Sequence, residues 1–160
     1  MFFLGIDPGV GGGLGLVDEF GAHVATFKLK DATERDIWEW FETQTATAEI
    51  RACMEKVSSS PQMGVVSAFT FGHGAGFLRG LLVASAIPYD LVPPSKWQKW
   101  MGCLTGGDKN VSKGRAQQLW PNVKITHGNA DAILIAEYAR QKWTGKQPAP
   151  QVEEFALESA

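Results

Sequence analysis

The sequence predicts a single α/β domain with a five-stranded mixed sheet, in which three antiparallel strands come first and two parallel strands follow. Short apolar runs follow one another closely at the N-terminus, and later strand patterns alternate with helical ones. Closely spaced strands pair antiparallel, because a parallel connection needs a long crossover. The 160 residues, 44% of them hydrophobic, are enough for one core and too few for two comfortable ones.

The N-terminal segment predicts the three antiparallel strands. The apolar run FFLGID, residues 2–7, has the pattern of a buried strand that ends at Asp7. PGVGGG then turns the chain, LGLVD at 14–18 forms a second strand, and residues 22–29 form a third. The glycine-rich turn leads into a strand and lacks the GxxxxGK[ST] pattern, so we interpret it as a tight hairpin close to Asp7.

The middle of the chain predicts a helix, a central strand and a second helix. Thr33 followed by Asp36 predicts a helix start, and the apolar spacing that follows predicts one buried face, formed by Ile37, Trp38, Trp40 and Phe41. The segment IRACMEKV, residues 50–57, predicts a central strand. Residues 63–86 predict a helix packed against the sheet, in which several glycines weaken the helical pattern.

The C-terminal half predicts one more strand, two short helices and a long last helix, at residues 87–94, 94–100, 110–120 and 128–143. From Gly145 the composition turns to Pro, Gln and Glu with few core residues. We therefore predict a folded domain over residues 1–144 and a flexible tail over residues 145–160.

Composition and charge exclude several classes of protein. A net charge of −2 argues against indiscriminate coating of nucleic acid, which depends on neutralising phosphates. The charge is uneven, because residues 95–124 carry six basic side chains and one acidic one. The two cysteines are isolated, so neither a disulfide framework nor a zinc site is expected. Without a long apolar run or a signal-peptide pattern, we expect a soluble intracellular protein with no membrane contact.

Three acidic residues are candidates for a metal site. Asp7 and Glu55 stand in apolar strands, where an ionised carboxylate is costly unless it is compensated. Asp131 lies in the first turn of the last predicted helix. Mg²⁺ prefers hard oxygen ligands and is typically held by a few carboxylates together with a substrate phosphate. The three residues therefore predict a Mg²⁺ site, at which Mn²⁺ is expected to substitute.

Carboxylates around Mg²⁺ are suited to cutting phosphodiesters. A bound ion lowers the pKa of a water, and a second one stabilises the leaving oxygen. His127, four residues before Asp131, falls on the same helix side if the helix already begins there. It is a candidate fourth metal ligand and catalytic residue, and three roles stay open for it: completing the metal shell, orienting the water, or transferring a proton.

Three motifs together resemble the RuvC-type Holliday junction resolvases, particularly their compact phage-type members. They are GIDPG at 5–9, CMEKV at 53–57 and HGNADAILIAEYA at 127–139. The resemblance implies a ribonuclease H-like fold and assigns catalysis and metal binding to Asp7, Glu55 and Asp131. Many relatives have a further Asp or His three residues before the last of these, where this chain has Gly128, one position after His127.

The resemblance also implies a substrate, an assembly and a set of DNA contacts. Relatives cut four-way DNA junctions as homodimers, and we expect residues 63–86 to form the dimer interface. Lys96 and Lys109 lie where the family carries phosphate-binding lysines, and Lys109 is also a candidate catalytic residue. Lys113 and Arg115 are expected to add DNA contacts. The expected location is the cytoplasm of a bacterial cell or of a phage-infected host.

Two alternative functions are compatible with the same residues. One is a nuclease of broader range that acts on flaps, replication forks or RNA–DNA hybrids. The other is a non-catalytic protein that binds DNA junctions. Aromatic residues present a further choice, because Phe69, Phe71 and Phe77 can pack in the core or stack on bases, and Trp97 and Trp100 can pack in the core or form a DNA-facing ridge.

Overall fold

The structure is a computed structural model that describes residues 1–46 and 48–145. Its elements follow the predicted order: β1 (Phe2–Asp7), β2 (Gly13–Asp18), β3 (His23–Lys28), α1 (Glu34–Thr45), β4 (Ile50–Glu55), α2 (Val65–Ala84), β5 (Tyr89–Val92), α3 (Pro94–Trp100), α4 (Lys109–Leu119) and α5 (His127–Thr144). Among the described helices, none has the length and apolarity needed to cross a membrane. Apart from Gly145, the predicted tail at 145–160 lies outside the described residues.

The five strands form one mixed sheet in the order β3-β2-β1-β4-β5. β1 pairs antiparallel with β2, and β2 pairs antiparallel with β3. β4 pairs parallel with both β1 and β5. The predicted arrangement, three antiparallel strands followed by two parallel ones, is confirmed. Since β1 and β4 run in the same direction, their C-terminal ends meet at one edge of the sheet.

Helices cover the sheet on both faces, and alternate strand residues supply the two cores. Leu4 and Ile6 of β1 pack in the core that includes the buried side chains of α1 and α2. Phe3 of β1 packs in the other core, which includes α5 together with buried residues of α3 and α4. Asp7 and Glu55 have the odd-numbered parity of Phe3 and Cys53, so they belong to the face that α5 covers.

Two glycines let α5 approach the sheet unusually closely. Gly5 of β1 and Gly15 of β2 are partners across the strand pair. A Cβ atom on Gly5 would lie 2.0 Å from the carbonyl oxygen of Ala132, and one on Gly15 would lie 2.6 Å from the backbone nitrogen of Ile133. Ala132 and Ala136 of α5 are fully buried against this surface. The helix backbone therefore rests on the strand backbones, and no larger residue fits at either glycine.

The predicted start of α1 is confirmed, but the predicted burial of Trp38 is wrong. Thr33 caps the helix and forms a reciprocal capping box with Asp36. Ile37 and Phe41 are buried, whereas Trp38 is exposed beneath the Arg35 guanidinium. A helix turns by about 100° per residue, so Trp38 falls off a face centred on Ile37 and Phe41. Its place on the surface follows from that rotation.

α2 is a continuous helix of 20 residues despite its glycines. Its sheet-facing side buries Ala75, Leu78 and Leu82. The core interpretation of Phe69 is wrong, because its side chain is 75% exposed. The outward side combines exposed apolar residues with glycines whose missing Cβ atoms would meet nothing within 4 Å, and we call it the α2 stripe: Val65, Val66, Phe69, Gly72, Gly76, Gly80 and Val83.

The close approach of α5 predicts that Gly5→Ala is strongly destabilising. The new methyl group would collide with backbone atoms of α5, so the substitution should lower the free energy of unfolding by about 3 kcal/mol or more. Gly114→Ala is the matched control, because Gly114 lies in α4 and its Cβ would meet nothing within 4 Å. That control should gain up to about 1 kcal/mol. Urea unfolding measures both changes, and equal stabilities would contradict the packing argument.

Candidate catalytic site

Two of the predicted carboxylates end neighbouring parallel strands. Ile6 and Met54 are partners across β1 and β4, so the next residues, Asp7 and Glu55, lie side by side at the sheet edge. Asp131 is the fifth residue of α5, which crosses this face of the sheet. Its negative charge raises the pKa of both Asp7 and Glu55. The structure therefore brings the three predicted carboxylates into one electrostatic neighbourhood.

The glycine-rich turn after β1 shapes the surroundings of Asp7. The backbone amide of Gly9 donates a hydrogen bond of 3.1 Å to Asp7 Oδ1. A Cβ atom on Gly12 would lie 2.7 Å from Asp7 Cγ, so the turn has no room for a side chain there. Burial raises the pKa of Asp7, with the Gly9 hydrogen bond acting against it. The predicted tight hairpin is confirmed, and its role is to hold this carboxylate in a desolvated place.

Glu55 accepts a hydrogen bond from a buried tryptophan. Trp97 Nε1 donates a hydrogen bond of 2.7 Å to Glu55 Oε2. Burial nevertheless raises the pKa of Glu55 to about 7, and the charges of Asp7 and Asp131 add to the rise. Trp97 is fully buried, so of the two sequence-based interpretations the core one is confirmed. Sequence reasoning missed the bond, although a buried indole N–H usually has an acceptor.

Asp131 is the carboxylate with an unsatisfied oxygen. Its Oδ1 is buried and has no hydrogen-bond partner among the described residues. A buried acceptor without a donor is costly, and a cation would satisfy it. Within residues 1–46 and 48–145, no three His, Cys, Asp or Glu side chains stand close enough to enclose an ion. The unpartnered Asp131 Oδ1 is thus the feature that fits a cation here, and a Mg²⁺ ion that keeps several of its waters would need few protein ligands.

The predicted basic residues divide between two places. Lys109 is the first residue of α4, and its charge lowers the pKa of both Asp7 and Glu55. Lys96 instead lies beside Cys53, in a separate cavity farther along β4. Lys113 lies on α4, one turn beyond Lys109. Only Lys109 of these three lysines therefore acts on the carboxylates.

Arg115 and His127 have different surroundings from those of the carboxylates. Arg115 Nε donates a hydrogen bond of 2.9 Å to the carbonyl oxygen of Met101, so part of this guanidinium links α4 to the end of α3. His127 is exposed at the first residue of α5. Since the helix begins there, His127 lies one turn before Asp131 on the same side. Metal binding by His127 and DNA binding by Arg115 stay predictions.

The sheet order and the flanking helices define the fold class. A five-stranded mixed sheet in the order β3-β2-β1-β4-β5, with β1, β4 and β5 parallel and helices on its faces, is the ribonuclease H-like fold. No protein-family model matches the chain, and no curated protein matches it in sequence.

Solved structures give the particular fold, which is that of RuvC. Thermus thermophilus RuvC in complex with a Holliday junction substrate matches with a TM-score of 0.65 and 16% identity, over 92% of this chain and 98% of that one. A second Thermus thermophilus RuvC structure matches with a TM-score of 0.61 and 18% identity, over the same shares of the two chains. The predicted ribonuclease H-like fold is therefore confirmed.

The raised pKa of Glu55 predicts a pH-dependent stability in metal-free protein. The pKa is about 7 in the folded chain against an ordinary 4.5, so folding opposes ionisation. The contribution of Glu55 to the free energy of unfolding is therefore greatest below pH 4.5, and it is lost as the pH rises through 7. Glu55→Gln removes this loss and should be more stable than the unsubstituted chain by roughly 2 kcal/mol at pH 8.

Urea unfolding at pH 5 and pH 8 in the presence of a chelator measures this difference. Glu42→Gln is the control, because Glu42 is an exposed residue of α1. Its effect on stability should be the same at both pH values. An equal response of the two variants would contradict the desolvation of Glu55.

Proposed function

We propose that this protein is a Mg²⁺-dependent, structure-selective DNA endonuclease that resolves Holliday junctions and other branched DNA. The observation that carries the proposal is the electrostatic coupling of Asp7, Glu55 and Asp131 on a fold shared with a RuvC that was solved with a Holliday junction substrate. The reaction is hydrolysis of a phosphodiester, which leaves a 5′-phosphate and a 3′-hydroxyl.

The proposed chemistry assigns a role to each residue of the site. Mg²⁺, or Mn²⁺ in its place, would supply an activated water and stabilise the leaving oxygen. Asp7, Glu55 and Asp131 would hold the ion, with the Gly9 amide and the Trp97 indole fixing the first two. Lys109 would place a positive charge near the scissile phosphate. His127 is proposed as a further ligand or as the group that orients water or moves a proton.

The substrate would lie across the edge of the sheet where the carboxylates are. Lys109 would contact the phosphate nearest the carboxylates, and Lys96, Lys113 and Arg115 of α3 and α4 are proposed to contact phosphates farther along the DNA. Phosphate contacts of this kind position a duplex without reading its sequence. Selection among DNA substrates would then depend on the shape of the branch point.

A homodimer is the proposed assembly, with the α2 stripe as its interface. Symmetric cutting of a four-way junction needs two active sites related by a two-fold axis. The α2 stripe exposes Val65, Val66 and Phe69 at 75–86% and Val83 at 67%, which is costly for a monomer in water. Its glycines leave open space for a second helix. A partner of the same sequence would cover this surface.

Cleavage of a synthetic four-way junction tests the proposed activity. The unsubstituted chain should cut the junction with Mg²⁺ and leave linear duplex uncut. Asp7→Asn should bind the junction with unchanged affinity and lose at least about 1,000-fold of the cleavage rate, because one ion ligand is gone. Asp31→Asn is the control, since Asp31 is exposed and has a φ of 62°, which Asn tolerates.

The comparison with other substrates separates the alternatives. Equal cutting of flaps, forks or RNA–DNA hybrids would replace junction resolution with a broader nuclease activity. Junction binding without any cutting in Mg²⁺ or Mn²⁺ would identify a non-catalytic junction-binding protein.

The proposed interface predicts that a charge on the α2 stripe separates the dimer. Val83→Glu should convert the protein to a monomer, because burying an unpaired carboxylate is costly. Phe20→Glu is the matched control, since Phe20 is 80% exposed and lies in the turn after β2. Analytical ultracentrifugation measures the mass of each variant. A dimeric Val83→Glu protein would place the interface elsewhere, and a monomeric unsubstituted protein would contradict the homodimer.

A further inference from the structure

A cavity lined by several charged side chains lies on the same sheet face as the carboxylates, outside the candidate catalytic site. It has a volume of about 270 Å³ and is bordered by β4, β5 and the C-terminal part of α5. Three cationic side chains line it against one carboxylate, that of Asp90. We call it the Arg51 cavity and define it by Arg51, Lys96, Lys142, Asp90, Tyr138 and Trp143.

Arg51 is the residue of this cavity that has a buried hydrogen-bond donor without an acceptor in the described part of the chain. Its Nε is buried and has no hydrogen-bond partner among the described residues. Its guanidinium carbon lies 3.6 Å from the centre of the Trp143 ring, so the side chain is stacked in place. A buried N–H of a charged group is expensive to leave unbonded, and an anionic oxygen is its best acceptor.

The other two cations of the Arg51 cavity have no carboxylate partner among the described residues. Lys142 Nζ lies 4.5 Å from the centre of the Trp100 ring, which is a cation–π contact. Lys96 is exposed at the rim. In the part of the chain that the structure describes, none of Arg51, Lys96 and Lys142 has a carboxylate oxygen within 4.0 Å. The cavity is therefore a concentration of unpaired positive charge.

The remaining polar groups of the cavity are not nucleophiles. Burial raises the pKa of the Cys53 thiol to about 12, so the thiol keeps its proton. Burial also raises the pKa of Tyr138, whose phenol stays a hydrogen-bond donor. With donors and cations in the majority, the cavity is suited to binding an oxyanion and not to a reaction of its own.

The cavity lies within reach of the DNA proposed for the catalytic site. Arg51 and Glu55 share the α5 face of β4 and are four residues apart, which corresponds to about 13 Å along a strand. That distance is less than half of one duplex turn of about 34 Å. A DNA arm that places a phosphate at the carboxylates is therefore long enough to reach the Arg51 cavity.

We propose that the Arg51 cavity binds a backbone phosphate of the DNA substrate, held by Arg51, Lys96 and Lys142. This inference rests on the proposed function, because it makes the ligand part of the same DNA. It adds Arg51 and Lys142 to the phosphate contact already expected of Lys96, and the resulting site fixes how an arm lies relative to the cut.

Binding to an uncut four-way junction tests the phosphate contact. Fluorescence anisotropy in chelator, at several salt concentrations, gives the affinity and its salt dependence. Arg51→Gln should weaken binding about tenfold at low salt and reduce the log–log salt slope by about 0.9, the value for one lost phosphate contact. Lys142→Gln should also reduce the salt slope. Because Lys142 is exposed, this variant is expected to fold normally, so it keeps the test valid if Arg51→Gln fails to fold.

Arg35→Gln is the matched control. Arg35 also stacks on a tryptophan, with its guanidinium carbon 4.7 Å from the Trp38 ring, and the substitution removes the same charge. It lies on α1, on the other face of the sheet. Its affinity and salt slope should match those of the unsubstituted chain. Identical slopes for Arg51→Gln, Lys142→Gln and Arg35→Gln would overturn the proposal.

Titration with inorganic phosphate separates this inference from the proposed activity. The Trp143 indole and Arg51 Nε signals in ¹⁵N NMR spectra should shift with phosphate, and the Trp143 shift should vanish in Arg51→Gln. This result supports the cavity even if the junction is not cut. Phosphate binding combined with unchanged junction affinity in Arg51→Gln would assign the cavity to a free anion and overturn the DNA contact. Absence of any shift would overturn the anion site itself.

Discussion

The backbone contact between α5 and the paired strands β1 and β2 determines the rest of the molecule. Gly5 and Gly15 remove the side chains that would hold the helix away, and Ala132 and Ala136 do the same from the helix. The helix is thereby fixed directly against the backbones of β1 and β2. This packing places Asp131 within electrostatic range of Asp7 and Glu55. The placement depends on contacts between segments that are far apart in the sequence.

That placement puts three acidic side chains near one another in partly buried positions, and the described side chains compensate only part of the energetic cost. Asp7 and Glu55 are desolvated and feel the charge of Asp131, and Asp131 Oδ1 has no donor. Lys109, Gly9 and Trp97 each offset part of the cost. A divalent cation with its waters would supply the missing positive charge and the missing partner for Asp131. The ion that the proposed chemistry uses would therefore also offset the cost of burying these acids.

The sequence could predict what depends on local pattern. Strand and helix order, the Thr33 cap and the position of Asp7 and Glu55 at strand ends all follow from periodicity and turn residues. Features that depend on tertiary approach could not be predicted. The Trp97 bond to Glu55 spans 42 residues, and the exposure of Phe69 follows from which side of α2 meets the sheet. The Arg51 cavity needs β4 and the end of α5 together.

Direct measurement of ion binding tests the central claim, that Asp7, Glu55 and Asp131 share a divalent cation. Electron paramagnetic resonance of Mn²⁺ titrated into the protein counts bound ions and shows whether Mg²⁺ displaces them. The account predicts saturable Mn²⁺ binding that Mg²⁺ competes away and that Asp131→Asn largely removes, although Asp131 lies more than 70 residues from the other two acids. No saturable binding, or binding unchanged in Asp131→Asn, would contradict it.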